Sequence, residues 1–175
     1  MRHFITLLLV SIAISACSPK FDWRDVRGGA APFTVLMPAK PASMSREIQL
    51  GEQKLLMHMQ VTQIDGVSFA VGAVKLPNAS QAQASMALIK QALVSNLNGH
   101  INEDTTTTAS SDGKLTINEV FNATSLTRSP AGVSTAMVVR IVARGDWVFQ
   151  VLVAGPEKAL NRDATDTFLT SFKAL

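Results

Sequence analysis

Seven stretches of this chain alternate apolar and polar residues with a period of two, and only two stretches carry the spacing of a helix. Alternation of that kind buries one face of a strand, so it commits the chain to a largely antiparallel sheet. Phe33, Val35 and Met37 alternate and stop at Pro38; Arg46, Ile48 and Leu50 alternate and stop at Gly51. Leu55, Met57, Met59 and Val61 come next, then Asp65-Gly66, then Val67, Phe69, Val71 and Ala73. Two β runs around an Asp-Gly pair are a strong hairpin signal. The spacing predicts four strands before residue 76, arranged as an antiparallel meander.

Pro77 and Asn78 end that pattern. Asn78 is suited to cap a helix, with Gln81 three residues on as its partner. Ala82, Met86, Ile89, Leu93 and Leu97 then share one helical face, and Asn98-Gly99 supplies a left-handed stop. His100 to Gly113 is polar and includes Thr105 to Thr108; it reads as a loop or a weakly paired edge segment. Alternation returns in Lys114–Thr124, Val133–Arg144 and Trp147–Val153, separated by turns at Ser129–Gly132 and Gly145-Asp146. A second helix is expected to start at Gly155-Pro156-Glu157, with Leu160, Ala164, Phe168 and Phe172 as its apolar stripe. Each helix has one apolar side, so both must cover a sheet. The expected class is α+β: about six or seven antiparallel strands flanked by two main helices.

The N-terminus is of another kind. Arg2 is followed by an uncharged, mostly apolar run from Phe4 to Ile14, then Ser15, Ala16 and Cys17. The run is shorter than the ~20 residues a spanning helix needs and has the proportions of a signal-peptide core. Cys17 is the single cysteine, so a disulfide within the chain is excluded. The remainder of the chain is the size of one ordinary domain, able to bury roughly 70% of its unfolded surface without staples. The net charge of +3 is spread over interspersed acids and bases. No basic block tracks phosphates, which argues against a nucleic-acid partner.

Ile14-Ser15-Ala16-Cys17 resembles the lipobox of bacterial lipoproteins. The resemblance implies cleavage between Ala16 and Cys17 and attachment of acyl chains to the Cys17 sulfur. Serine rather than aspartate at position 18 implies sorting to the outer membrane, facing the periplasm. Two or three acyl chains hold a protein where one binds only marginally. The expected organisation is therefore a signal peptide over 1–16, a lipidated N-terminus and tether over 17–32, and a single domain over 33–175. Within the tether, Trp23 beside Arg24 and Arg27 reads as covering an edge of the domain in preference to resting at lipid headgroups.

The element order, the opening Phe33-Thr34-Val35-Leu36-Met37-Pro38 and the ending Thr167-Phe168-Leu169-Thr170-Ser171-Phe172 resemble the PsbP-like family over residues 33–175. That family is an α/β/α sandwich. The resemblance implies a scaffold for binding, usually without catalysis, and carries over no functional residue.

The chemical candidates are sparse. His58 between Met57 and Met59 suggests a thioether copper site, but on a strand the methionines face one way and the histidine the other. His58 and His100 lack the spacing of a zinc site, and no metal or other cofactor is expected. No GxSxG or GxxxxGK motif is present. A histidine meeting a serine or carboxylate within hydrogen-bond reach would revive an enzymatic reading. Glu103-Asp104 reads as solvated charge. Arg140 and Arg144 share one strand face with Ser134 and Val138, and that face is the candidate binding surface. The expected function is a lipid-anchored, non-catalytic envelope protein that engages another envelope protein; the alternative is a small-molecule or lipid binder using the apolar sheet face.

Overall fold

The computed structural model describes residues 20–129 and 131–175. In chain order the elements are β1 (Arg24–Arg27), β2 (Phe33–Met37), β3 (Ala42–Leu50), β4 (Gln53–Ile64), β5 (Val67–Lys75), α1 (Ala79–Leu97), β6 (Gly99–Ser111), β7 (Lys114–Arg128), β8 (Ser134–Arg144), β9 (Trp147–Pro156), α2 (Arg162–Ser171) and β10 (Lys173–Ala174). Seven strands form one antiparallel sheet in the order β3-β4-β5-β9-β8-β7-β6; β1, β2 and β10 form a separate small sheet. The fold is α+β, with the large sheet flanked by helices.

Local chemistry sets the hairpins. Asp65 and Gly66 both take positive φ between β4 and β5, as do Asp112 and Gly113 between β6 and β7. That pair of left-handed residues matches the twist of the flanking strands. The Asn78 side chain accepts from the Gln81 backbone N–H at 2.9 Å and caps α1. The Gln81 side chain does not return the bond; its Oε1 accepts from Gln53 Nε2. Asn98 itself takes the left-handed position that ends the helix, at φ 47°.

The large sheet has a core on each face. On one, Phe69, Val71, Phe149 and Val151 meet β2 and α2, with Phe33, Phe168 and Phe172 completing an aromatic cluster. On the other, Val139, Ile141, Phe121 and Val148 meet Ala82, Met86 and Ile89 of α1. Period-two alternation on β8 therefore divides one strand between two cores.

Four expectations need correction. The alternating segment Phe33–Met37 is a strand, but it does not belong to the meander. Its buried face, Phe33, Val35 and Met37, packs onto the large sheet from outside, and it pairs with β1 and β10. The tether expected over 17–32 is already domain in its described part from residue 21. Phe21 and Trp23 pack against the core, β1 pairs with β2, and Ala31 is buried. Trp23 covers an edge as expected. His100–Gly113, read as a loop or a weakly paired edge segment, is largely the edge strand β6, and only the weak pairing needs correction: β6 pairs with β7 along almost its whole length, with one irregularity between Ile101 and Glu103. Finally, α2 begins at Arg162. Residues Glu157–Ala159 make only a 3₁₀ turn, and Asn161 is the cap, accepting from Ala164 N–H at 2.8 Å.

Lys90 of α1 reaches Asp104 on β6 and Glu119 on β7 and lies over the Phe121 ring at 5.4 Å. Burial would lower the Lys90 pKa, but its hydrogen bonds to Asp104 and Glu119 outweigh that and hold it above its ordinary value. The pair that read as solvated charge thus contributes one member, Asp104, to a tie between α1 and the β6–β7 hairpin. No helix among the described residues is long and apolar enough to cross a membrane.

Candidate functional site

Arg140 and Arg144 do lie on one face of β8, but their donors are largely used within the protein; only Arg144 Nε is buried without a partner among the described residues. The Arg140 guanidinium makes four hydrogen bonds. Nε and Nη2 donate to Asn118 Oδ1 at 3.2 and 2.8 Å; Nη1 donates to the carbonyls of Leu169 and Phe172 at 2.9 and 3.2 Å. Those carbonyls belong to the last turn of α2, where a cation is favoured by the helix dipole. The guanidinium also sits over the Phe172 ring at 5.8 Å. Burial lowers its pKa from the ordinary value; arginine starts high enough to remain charged. Beside it, Ser171 Oγ accepts from the Leu36 N–H of β2. Arg140 is thus a clamp between α2 and the large sheet, not part of an open binding face.

Arg144 is bound to the tip of the β6–β7 hairpin. Its Nη1 donates to Ser111 Oγ and Thr116 Oγ1 at 3.0 and 2.8 Å, and Nη2 lies 3.5 Å from Asp112. The position is partly buried by its own partners, which leaves little of it for a ligand.

His58 meets a serine. Ser45 and His58 are direct partners across the β3–β4 ladder, and Ser45 Oγ lies 2.9 Å from His58 Nδ1. They line an open cleft of about 390 Å³ with Gly28–Ala30 and Gln60. This is the contact that revives an enzymatic reading, but no carboxylate hydrogen-bonds the His58 ring among the described residues, so the pair lacks the third group that orients such a base. The pair satisfies the polar side of an edge hairpin. A fluorophosphonate probe is expected to leave the protein unlabelled; labelling that disappears in Ser45→Ala would restore a hydrolase. Met57 and Met59 pack with the core under α1, whereas His58 opens on the cleft beside the small sheet, although Met59 also contributes to that cleft's wall. His100 is exposed on β6. Among the described residues no cluster of three His, Cys, Asp or Glu is placed to hold a metal. Ala16 and Cys17 lie outside the described residues.

Two features are not apparent from residue order. The first is a groove beside α1. The helix packs chiefly over β8 and β9 and meets β3 only at its edge, so the β3–β4 hairpin is covered only in part on that face, with Leu50 and Met57 buried. Two clefts joined at Leu50 result. The outer one, about 330 Å³, lies beside Gln81, Ala84 and Leu88. The inner one, about 180 Å³, is walled by Arg46, Met57, Leu93, Asn96 and Gln150. Gln150 is 7% exposed on an otherwise apolar face of β9. Gly72 lies opposite it in the β5–β9 ladder, and a Cβ there would stand 2.8 Å from Gln150 Nε2. A lone amide in Trp147–Val153, facing a glycine inside a strand, was the available signal.

The second is the free edge of β6. Beyond Gly99 the strand is exposed throughout. Thr105 to Ser111 carries no charge and no proline. Natural edge strands are usually blunted by charges, prolines or bulges; the opposite edge, β3, carries Arg46 and Glu47.

No family model matches the chain. No curated protein matches it either. A solved structure from Bacteroides thetaiotaomicron VPI-5482 aligns with 89% of this chain at 13% identity and a TM-score of 0.42. The chain spans about half of that protein's length, 49%.

Proposed function

We propose that this protein is a lipid-anchored, non-catalytic binding protein of the bacterial cell envelope, held through Cys17 at the periplasmic side of the outer membrane and engaging another envelope protein. The Ile14–Cys17 motif supports the anchor, and the PsbP-like resemblance supports a binding scaffold. One structural observation carries the binding role: the long edge of β6, uncharged from Thr105 to Ser111 and without a strand on its outer side among the described residues. Such an edge presents a row of free N–H and C=O groups to which a partner can add a strand. Main-chain pairing supplies the affinity, and the threonine side chains supply alternating contacts. The Arg140 face plays no part, because α2 already occupies it.

The test is photocrosslinking in intact cells from a reactive side chain at position 107, with position 91 on the exposed side of α1 as control. The expected result is a discrete adduct with a second envelope protein from position 107 only, lost on Thr106→Pro. No adduct, or an adduct between two copies of this chain, would overturn the reading. In the same cells the wild-type N-terminus is expected to begin at an acylated Cys17, and Cys17→Ala to release the protein from the membrane fraction.

A further inference from the structure

We propose that the groove between α1 and the β3–β4 hairpin binds a small aliphatic carboxylate, its head at Arg46 and its chain running past Leu50 towards Leu88. The site lies across the sheet from β6, so it stands apart from the strand-addition reading.

A buried amide marks the groove. Gln150 lines the inner cleft, and its hydrogen bond within the protein is a long one, from Nε2 to the Met57 thioether at 3.6 Å. A thioether is a weak acceptor. Burying an amide so poorly partnered opposes folding, and leucine there would cost nothing in shape. Gly72 gives up its own side chain to make the room. A polar group kept at such a position is explained by something that enters the cleft and bonds to it.

Charge points the same way. Arg46 lines the same cleft, and among the described residues it enters no ion pair and no side-chain hydrogen bond. The walls around it supply no anion: α1 has no acidic residue, β4 has none, and Glu47 projects to the other face of the sheet. Lys90 is turned away to Asp104 and Glu119. The acid along the groove is Glu52, at the far end of the outer cleft. The groove is therefore polarised, with the exposed Arg46 at its inner cleft and an acid at its outer rim, and an anionic head belongs at Arg46. A guanidinium matches a carboxylate with two parallel bonds.

Size and lining set the rest. A volume of 180 Å³ corresponds to the liquid share of about six waters, enough for a head group and the start of a chain. The outer cleft continues over Leu50 and Leu88, and Leu88 is 42% exposed although it faces the groove. A short alkyl chain would cover it.

The test is calorimetric titration of the purified protein with sodium octanoate, with octylammonium as the charge-reversed control. Expected are saturable octanoate binding with Kd below about 1 mM and octylammonium binding roughly tenfold weaker. Arg46→Gln is expected to weaken octanoate by about tenfold, the worth of one charge-assisted contact. Gln150→Leu is expected to weaken it too while leaving Tm unchanged or higher. Absence of saturable binding, equal binding of the two amphiphiles, or unchanged affinity in Arg46→Gln would overturn the proposal. A fall in Tm for Gln150→Leu would make the amide a structural group and overturn its role at the site. Crosslinking at β6 bears on neither result, so the two readings fail separately.

Discussion

Phe168→Ala is expected to lower the stability of this protein by about 3–5 kcal/mol, the range for deleting a buried phenyl ring. Phe168 has no exposed surface, and its ring meets Phe69 edge-on with centroids 5.5 Å apart. Its neighbours cannot collapse into the gap without moving β2, because Phe33, Phe149 and Phe172 already contact one another. For a domain of this size the loss corresponds to a fall in Tm of roughly 6–20 °C. The damage should be local at first. β10 follows α2 directly and pairs with β2, so loosening the helix also frees the small sheet. Hydrogen exchange is expected to quicken in α2 and β2 while β8 and β9 stay protected. Chemical denaturation within 1 kcal/mol of wild type would show that α2 is not docked on this core.

Arg140→Met is expected to cost about 3 kcal/mol. Methionine keeps much of the apolar stem but removes every donor. The carbonyls of Leu169 and Phe172 and the Asn118 side chain would then face a partly buried space without partners. Arg140→Lys is expected to recover less than half of the loss, since one ammonium cannot reproduce the planar fork that spans two elements. Pairing each variant with Asn118→Ala in a double-mutant cycle would give a coupling energy of about 1 kcal/mol or more if the clamp joins β7 to α2. Urea denaturation with an unchanged midpoint in Arg140→Met would mean that the guanidinium is free, and would make this face a binding surface again.

The fate of Arg140 shows where reading residues in order stops. Its place on the polar face of β8 was legible, since alternation from Ser134 to Arg144 is clean. Whether that face was open depended on α2, which arrives more than twenty positions later. The ending Ser171-Phe172 was likewise visible in the C-terminal segment, but its work was not. Ser171 accepts from Leu36 across 135 positions, and Phe172 fills a space between Phe33 and Phe149. Asn161 was hidden as a cap because Pro156-Glu157 offered an earlier helix start with the right local chemistry. The groove was hidden for a different reason. Arg46 and Gln150 lie on strands that are not neighbours, and only the sideways placement of α1 leaves a space between them.

Strand periodicity, the Asp-Gly turns, the Asn78 cap and the left-handed Asn98 were settled within windows of a few residues. Steric limits on φ and ψ and side-chain bonds to nearby backbone act over no greater distance. Membership in the sheets was settled elsewhere. Phe33–Met37 and the threonine-rich β6 both prefer extended backbone, yet the first left the large sheet and the second became its edge. A strand's own sequence specifies which face is apolar; which surface covers that face is decided by burial summed over the whole chain, and that exists only once α1, α2 and both sheets have come together.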